Sequence, residues 1–312
     1  MTSTGGETTA RLFLDETGQF SSACQMRLVG GLLTIASNDP SADLSTVHTR
    51  AASHIGWPVR LHALELSKPG YMALWAANKG IESCNVNLPS NTSGQIDKVL
   101  AEYPPPANSV IGSSWSKPAR RFASENADRI QDHKYGKSLG LLGRILRAEL
   151  VSKLASEFQG WCTKDRAAYM IAGHVDDERA PGLEAYVEAF NSALDVASRT
   201  AVAMGATKLV VTIANPNLSS VAELSSRIAQ VPLPIDAQVV DYEKGPAGLW
   251  IADTLLSWCR PHPKAHPTPL DLDCSAARCL IAQTTHNRPH PFDDTFAKFL
   301  VATQESSRRM VK

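Results

Sequence analysis

The sequence lacks the features that mark membrane and secreted proteins. No run approaches the roughly 18 apolar residues that cross a bilayer, and the polar start over residues 1–7 has no apolar signal-peptide region. Six scattered cysteines in 312 residues do not form a disulfide framework. We therefore expect a cytoplasmic protein with reduced thiols and no membrane association.

The sequence also lacks net charge, since 31 Lys and Arg residues balance 31 Asp and Glu residues. This balance predicts no strong overall electrostatic field, which weakens the case for a nucleic-acid partner. It does not exclude one, because a local basic stripe can bind phosphate on a neutral protein.

Signatures of several enzyme classes are missing as well. There is no Gly-rich phosphate loop with a lysine and no Gly-x-Ser-x-Gly elbow. The turn Asp15-Glu16-Thr17-Gly18 differs from the Asp-Thr-Gly of aspartic proteases, because Glu16 separates the acid from the turn and no second copy follows. Four metal-binding residue types occur in the tail, but their intervals do not fit the usual zinc finger. They are Cys274, Cys279, His286 and His290.

What the sequence has is an apolar content of 43%, enough to bury a sizeable core. Early strands cluster, and later strands alternate with helices, which predicts an α/β fold with a mixed sheet flanked by helices and a C-terminal helical tail. We expect a flexible leader over 1–10, one α/β domain over 11–260, and a Pro-rich linker with a helical extension over 261–312.

Hydrophobic patterns place the individual elements. Predicted strands cover 12–15, 25–37 (one strand, or a hairpin folded at Gly30-Gly31), 59–65 (a strand, or a strand-to-helix junction), 109–114, 167–175, 208–214 and 236–242. Predicted helices cover 43–55, 139–158, 187–204, 222–231, 248–259, 276–284 and 293–306, and residues 80–106 are expected to be irregular.

The first strand ends in two adjacent acids, Asp15 and Glu16. Successive strand side chains point to opposite faces of a sheet, so both acids cannot face one site. We choose Asp15 as the candidate site residue and Glu16 as a supporting neighbour. A surface turn with no chemical role is the alternative interpretation of this pair.

Further acids lie where a purely structural account is difficult. Glu65 follows the third predicted strand, Asp176 and Asp177 follow the strand over 167–175, and Asp253 is the only charge in an apolar helix. An unpaired carboxylate in a packed helix is costly unless a cation offsets its charge. Oxygen ligands without a Cys or His cluster suit two Mg²⁺ or Mn²⁺ ions.

Structural alternatives stay open for these residues. The acids at 176–178 are also compatible with a solvated loop, and Asp253 with a buried hydrogen-bond acceptor. His62 is more typical of a packing residue than of a metal ligand.

Three segments resemble a known family. Phe13-Leu14-Asp15-Glu16-Thr17-Gly18 looks like the Asp-Glu-Ser-Gly opening strand of the bacterial domain of unknown function 3800 family. The segment over 61–66 resembles its histidine-plus-acid motif, and the segment over 241–253 is similar to its closing Leu-Gln-x-Ala-Asp segment. Thr17 replaces the usual Ser, and Trp250 replaces the Gln.

The resemblance implies a ribonuclease H-like fold and metal-dependent nuclease chemistry, with members found in mobile-element and defence settings. It implies that Asp15, Glu65, Asp176 or Asp177, and Asp253 fill the four acidic positions. His62 is implied as a supporting residue, and Lys117, Arg120 or Arg121 could hold phosphate. The second interpretation is an inactive ribonuclease H-like subunit that binds or assembles with a protein partner of a defence system.

Overall fold

The computed structural model describes residues 8–17, 27–163, 166–175, 182–214, 233–259 and 282–283. The chain divides into two compact units, the first built from 1–47 and 155–312 and the second from 48–154. The range predicted as one α/β domain, 11–260, therefore contains a second unit inserted between two parts of the first.

Regular elements occupy most of the described chain. The strands are β1 (Thr9–Thr17), β2 (Arg27–Ala36), β3 (Val110–Ile111), β4 (Ser114–Trp115), β5 (Arg166–Val175), β6 (Lys208–Ala214), β7 (Ile235–Val240) and β8 (Ala282–Gln283). The α-helices are α1 (Ser41–His54), α2 (Pro69–Ala77), α3 (Gly80–Ser83), α4 (Thr92–Glu102), α5 (Lys117–Glu125), α6 (Ala127–Asp132), α7 (Gly136–Trp161), α8 (Leu183–Ala203) and α9 (Ala247–Cys259). Two 3₁₀ turns cover Ala63–Ser67 and Tyr242–Lys244.

The first unit is built on one mixed sheet with the strand order β7-β6-β1-β2-β5-β8. β2 is antiparallel to both β1 and β5, whereas β6 is parallel to β1 and β7 is parallel to β6. The strands β1, β5, β6 and β7 therefore all end at the same edge of the sheet. β1 carries its two acids, Asp15 and Glu16, close to this edge.

Helices cover both faces of this sheet. α8 packs on β2 and β5, and α9 packs on β1 and β2. Leu12 and Leu14 of β1 belong to the buried cluster that includes Tyr186 and Phe190 of α8. Phe13 has the opposite orientation, since a Cβ atom at Gly248 of α9 would lie 2.5 Å from its ring. Because side chains alternate along a strand, the even-numbered residues of β1 face α8 and the odd-numbered residues face α9.

Gly31 permits the close packing of α9 on β2. Its φ of +152° is a value that other residues rarely adopt, and a Cβ atom there would overlap the Phe13 carbonyl and the Ala252 side chain. The chain does not fold back at Gly30-Gly31, so the alternative of a hairpin is wrong, and β2 is one continuous strand.

The second unit is mainly helical, with α2 near its centre. Contacts join α2 to α3, α4, α5 and α6 and to the 3₁₀ turn Ala63–Ser67. The fully buried Trp75 of α2 donates its indole N–H to the Ile55 carbonyl at 3.0 Å. β3 and β4 form a two-residue hairpin here, with Val110 paired to Trp115.

Several predicted elements agree with the structure, and the α/β class with a mixed sheet flanked by helices is confirmed. The predictions over 167–175, 208–214 and 248–259 match β5, β6 and α9 closely. For residues 59–65, predicted as a strand or a strand-to-helix junction, the strand is wrong, because residues 59–62 form no strand and a 3₁₀ turn begins at Ala63. The expectation of irregular chain over 80–106 is also wrong, because it contains α3 and α4.

Other predictions lie outside the described residues. They are the helices over 222–231 and 293–306, most of the helix over 276–284, and the residues Cys274, Cys279, His286 and His290. Residues 282–283 are described and form the strand β8, so the predicted helix over 276–284 is wrong at these residues. Among the helices that the structure describes, none has the length and apolar character that a transmembrane span needs.

Candidate acidic site

Asp15 lies at the end of the central strand β1, on the face that α9 covers. In the register Asp15 pairs with Gly30 of β2, and the preceding Leu14 pairs with Ile213 of β6. Its Oδ1 accepts a hydrogen bond from the Glu16 amide at 2.8 Å. Neither of these strand neighbours carries a positive charge, and Asp15 forms no ion pair with any described residue.

Burial, and after it the negative charge of Asp253, raise the pKa of Asp15 to about 8 against the opposing effect of the Glu16 amide. Asp253 reaches this position from α9, whose Gly248 packs on Phe13. The structure therefore brings together two acids from the first strand and the last described helix of the sheet unit.

Asp253 is buried, with 7% of its surface exposed, and has a defined partner. The Tyr242 hydroxyl donates a hydrogen bond to its Oδ2 at 2.9 Å. The Trp250 indole N–H in turn donates to the Tyr242 carbonyl at 3.2 Å. Trp250 thus fastens the turn Tyr242–Lys244 to the helix that carries the acid.

Glu16 lies on the opposite face of β1, as strand alternation predicts. Burial raises its pKa to about 7, and its Oε2 has no hydrogen-bond partner among the described residues. Burial and the negative charges of Glu16 and Asp15 raise the pKa of the Tyr186 phenol on α8. Strand alternation therefore leaves Asp15, and not Glu16, on the face of the sheet that carries Asp253.

Glu65 and His62 belong to the second unit. The Glu65 Oε2 accepts a hydrogen bond from the Trp115 indole at 3.1 Å. His62 precedes the turn Ala63–Ser67, and its Nδ1 accepts a long hydrogen bond from the Leu64 amide at 3.4 Å. Both contacts lie within the second unit.

The remaining predicted residues fall into two groups. Asp176 and Asp177 lie outside the described residues, directly after Val175, where β5 ends at the same sheet edge as β1. Lys117, Arg120 and Arg121 are exposed on α5 of the second unit, and Arg121 pairs with Glu125 at 2.7 Å.

Among the described residues, Asp15 and Asp253 provide two carboxylate ligands for a metal, which is fewer than a complete coordination shell. Within the described ranges, no three His, Cys, Asp or Glu side chains are grouped closely enough to hold an ion. Mg²⁺ commonly takes one or two protein carboxylates and completes its shell with water and substrate phosphate. Asp15 and Asp253 fit this requirement for one ion, since two repelling carboxylates are stabilised by a shared cation.

Sequence reasoning did not identify Tyr242, Tyr186 or the supporting role of Trp250. Tyr242 carries no pattern that distinguishes it from other tyrosines near a turn. In the sequence, Trp250 is visible only as a difference from the resembled family motif, three residues before Asp253. Its hydrogen bond to a backbone carbonyl depends on the fold of the turn, which a short motif does not encode.

Comparison with protein-family models, with curated proteins and with solved structures gives no match to this chain. The functional interpretation therefore depends on the geometry of the acids and their neighbours.

Proposed function

We propose that this protein is a Mg²⁺- or Mn²⁺-dependent nuclease with a ribonuclease H-like fold that cleaves phosphodiester bonds in DNA or RNA. The observation that carries the proposal is the position of Asp15 and Asp253 on one face of the sheet, where burial and the charge of Asp253 together raise the pKa of Asp15 to about 8. A mixed sheet with helices on both faces, and an acid ending its central strand, agrees with the fold that the sequence resemblance implies.

Chemical reasoning favours a cation at this pair. Two carboxylates held together in a partly buried site destabilise each other when both are ionised. Such an arrangement is maintained at little cost when a divalent cation offsets both charges. A bound cation would activate water and stabilise the leaving oxygen of a phosphodiester.

The protein's own residues then have separate roles. Asp15 and Asp253 would hold the ion, while the Tyr242 hydroxyl fixes one oxygen of Asp253. The Glu16 amide fixes one oxygen of Asp15. A second ion would need further acids, and the resemblance nominates Asp176 or Asp177.

The test is a cleavage assay with single- and double-stranded DNA and RNA, in Mn²⁺, Mg²⁺ or EDTA. We expect metal-dependent cleavage that falls at least about 100-fold in the Asp15→Asn and Asp253→Asn variants, because each loses a metal ligand. The matched control is Asp195→Asn, an exposed acid of α8 paired with Arg199, which should cleave like the original protein.

Cleavage that persists in both site variants would place the chemistry elsewhere in the chain. Cleavage equal in EDTA and in Mn²⁺ would refute metal dependence.

A second candidate is an inactive ribonuclease H-like subunit that binds nucleic acid or a protein partner of a defence or mobile-element system. It is favoured by one observation, that the described residues group two acids and not three. Absence of cleavage on every substrate, together with no Mn²⁺ binding in solution, would select this candidate over the nuclease.

A further inference from the structure

The neutral total charge of the chain conceals a strong separation of charge between its two units. Residues 48–154 contain 14 Lys and Arg residues but only 8 Asp and Glu residues, a net charge of +6. The rest of the chain contains 17 and 23, a net charge of −6. The absence of an overall field, inferred from composition, therefore does not hold for the second unit.

Most of the positive charges of the second unit lie at its surface. Twelve of the 14 Lys and Arg residues are exposed. Six of its eight Asp and Glu residues are exposed as well, so the exposed positive charges outnumber the exposed negative charges by six. A polyanion approaching this unit therefore meets a surplus of positive charge.

One surface combines this charge with a partly exposed aromatic ring. We define the basic face by Lys68, Tyr71, Lys117 and Arg120, at the start of α2 and along α5. The Lys68 Nζ lies 5.9 Å from the centre of the Tyr71 ring. Burial and Glu65 raise the pKa of Tyr71 while the charge of Arg120 opposes the rise, so Arg120 lies near the phenol.

Packing holds the parts of the basic face together. Gly70 at the start of α2 lies directly against the backbone of Ala123 in α5, where a Cβ atom would overlap that chain. Tyr71 also contacts Trp115, with ring centres 6.2 Å apart. Lys117 and Arg120 are three residues apart on α5 and therefore project from neighbouring positions on one side of the helix.

We propose that the second unit is a nucleic-acid-binding element in which the basic face contacts the sugar-phosphate backbone. The choice of nucleic acid over an acidic protein rests on the proposed function and on Tyr71, since a partly exposed ring among cations is suited to bases and phosphates together. Such contacts are independent of sequence, because Lys and Arg neutralise phosphates and release counterions.

The experiment measures binding by the full chain in EDTA, using fluorescence anisotropy with labelled single-stranded and duplex DNA and RNA between about 50 and 200 mM salt. The variant carries Lys117→Gln and Arg120→Gln, both at exposed helical positions. The matched control also loses two positive charges, through Lys79→Asn at the far end of α2 and Arg199→Gln in the first unit. Asn suits position 79, where φ is +62°.

We expect the original protein and the control to bind with the same salt dependence. The basic-face variant should bind about tenfold more weakly at low salt. The slope of log affinity against log salt should fall by roughly 1.4 to 1.8, corresponding to two lost phosphate contacts. Circular dichroism and thermal melting of each variant confirm that the fold is retained.

An unchanged salt slope in the basic-face variant would overturn the proposal. So would binding of polyglutamate with the affinity and salt slope seen for nucleic acid, since the surface would then be suited to acidic protein. Because binding is measured in EDTA, failure here is distinct from failure of the nuclease proposal. A reduced salt slope for the basic-face variant, without cleavage by the original protein in Mn²⁺, would support the basic face and refute the nuclease proposal. Cleavage in Mn²⁺, with an unchanged salt slope for the basic-face variant, would support the nuclease and refute the basic face.

Discussion

At the scale of single residues, the most informative side chain is Asp15. It ends the central strand, shares a face with Asp253, and is held by the Glu16 amide. Its pKa is raised to about 8 by burial and by the charge of Asp253. Without a cation, the folded protein therefore favours the protonated form of this carboxyl.

The first prediction concerns the pH dependence of stability in EDTA. The pKa of Asp15 is about 8 in the folded protein against 3.8 for an unperturbed Asp, so the folded protein binds more protons between these values. The free energy of unfolding should therefore fall as pH rises from about 5 to 8, by up to roughly 1.4 kcal/mol per pH unit. Glu16, with a pKa of about 7, adds in the same direction below that pH.

Urea unfolding at several pH values measures this dependence. Asp15→Asn should reduce the fall in stability, whereas the exposed control Asp195→Asn should leave it unchanged. A steeper loss of stability toward acidic pH, over the same interval, would contradict the raised pKa of Asp15.

At the scale of elements, the site depends on how α9 and the turn before it are joined. Gly248 lets the helix approach the Phe13 ring, and Trp250 holds the turn Tyr242–Lys244 by donating to the Tyr242 carbonyl. The turn then presents the Tyr242 hydroxyl to Asp253. Trp250 therefore supports the turn whose tyrosine contacts the acid.

The second prediction is that Tyr242→Phe weakens both stability and metal binding. Loss of the hydroxyl leaves a buried carboxylate oxygen without its donor, which should lower the free energy of unfolding by about 1 to 3 kcal/mol. Mn²⁺ affinity, measured by calorimetry, should fall about 10-fold or more because the acid is less well oriented. Tyr135→Phe in the second unit is the matched control, since its hydroxyl contacts Lys98.

Equal Mn²⁺ affinity in Tyr242→Phe, Tyr135→Phe and the original protein would refute a positioning role for Tyr242. Loss of stability alone, with metal affinity intact, would assign the hydroxyl a purely structural role.

At the scale of the whole molecule, the protein combines an acidic sheet unit with a basic helical unit. The acidic site should repel phosphate in the absence of cations, and the basic unit should attract it. A bound cation at Asp15 and Asp253 would relieve the repulsion at the site and should also stabilise the folded chain.

The third prediction is that Mn²⁺ raises global stability through the acid pair. A ligand that binds only the folded state stabilises it by about 2.7 kcal/mol at 100 times its Kd. Thermal melting with and without Mn²⁺ should show this shift for the original protein and for Asp195→Asn. Asp253→Asn should lose most of it, and an equal shift in that variant would place the binding site elsewhere.

Sequence reasoning identified the elements whose signals are local. β5, β6 and α9 were predicted closely because their apolar patterns depend only on neighbouring residues. The choice of Asp15 over Glu16 followed from strand alternation alone, which is also a local property. The sequence by itself therefore determined the α/β class, the main strands and the two acids at the centre of the site.

The tertiary structure decided which of these parts meet. It placed Glu65 in a separate unit with a Trp115 partner, joined Asp15 to Asp253, and gave Tyr242 and Trp250 their roles. It also showed that the positive and negative charges, equal in number over the whole chain, are divided unequally between the two units. These outcomes depend on the register of strands, on close approaches at Gly31 and Gly248, and on contacts between residues far apart in the chain, which local patterns do not contain.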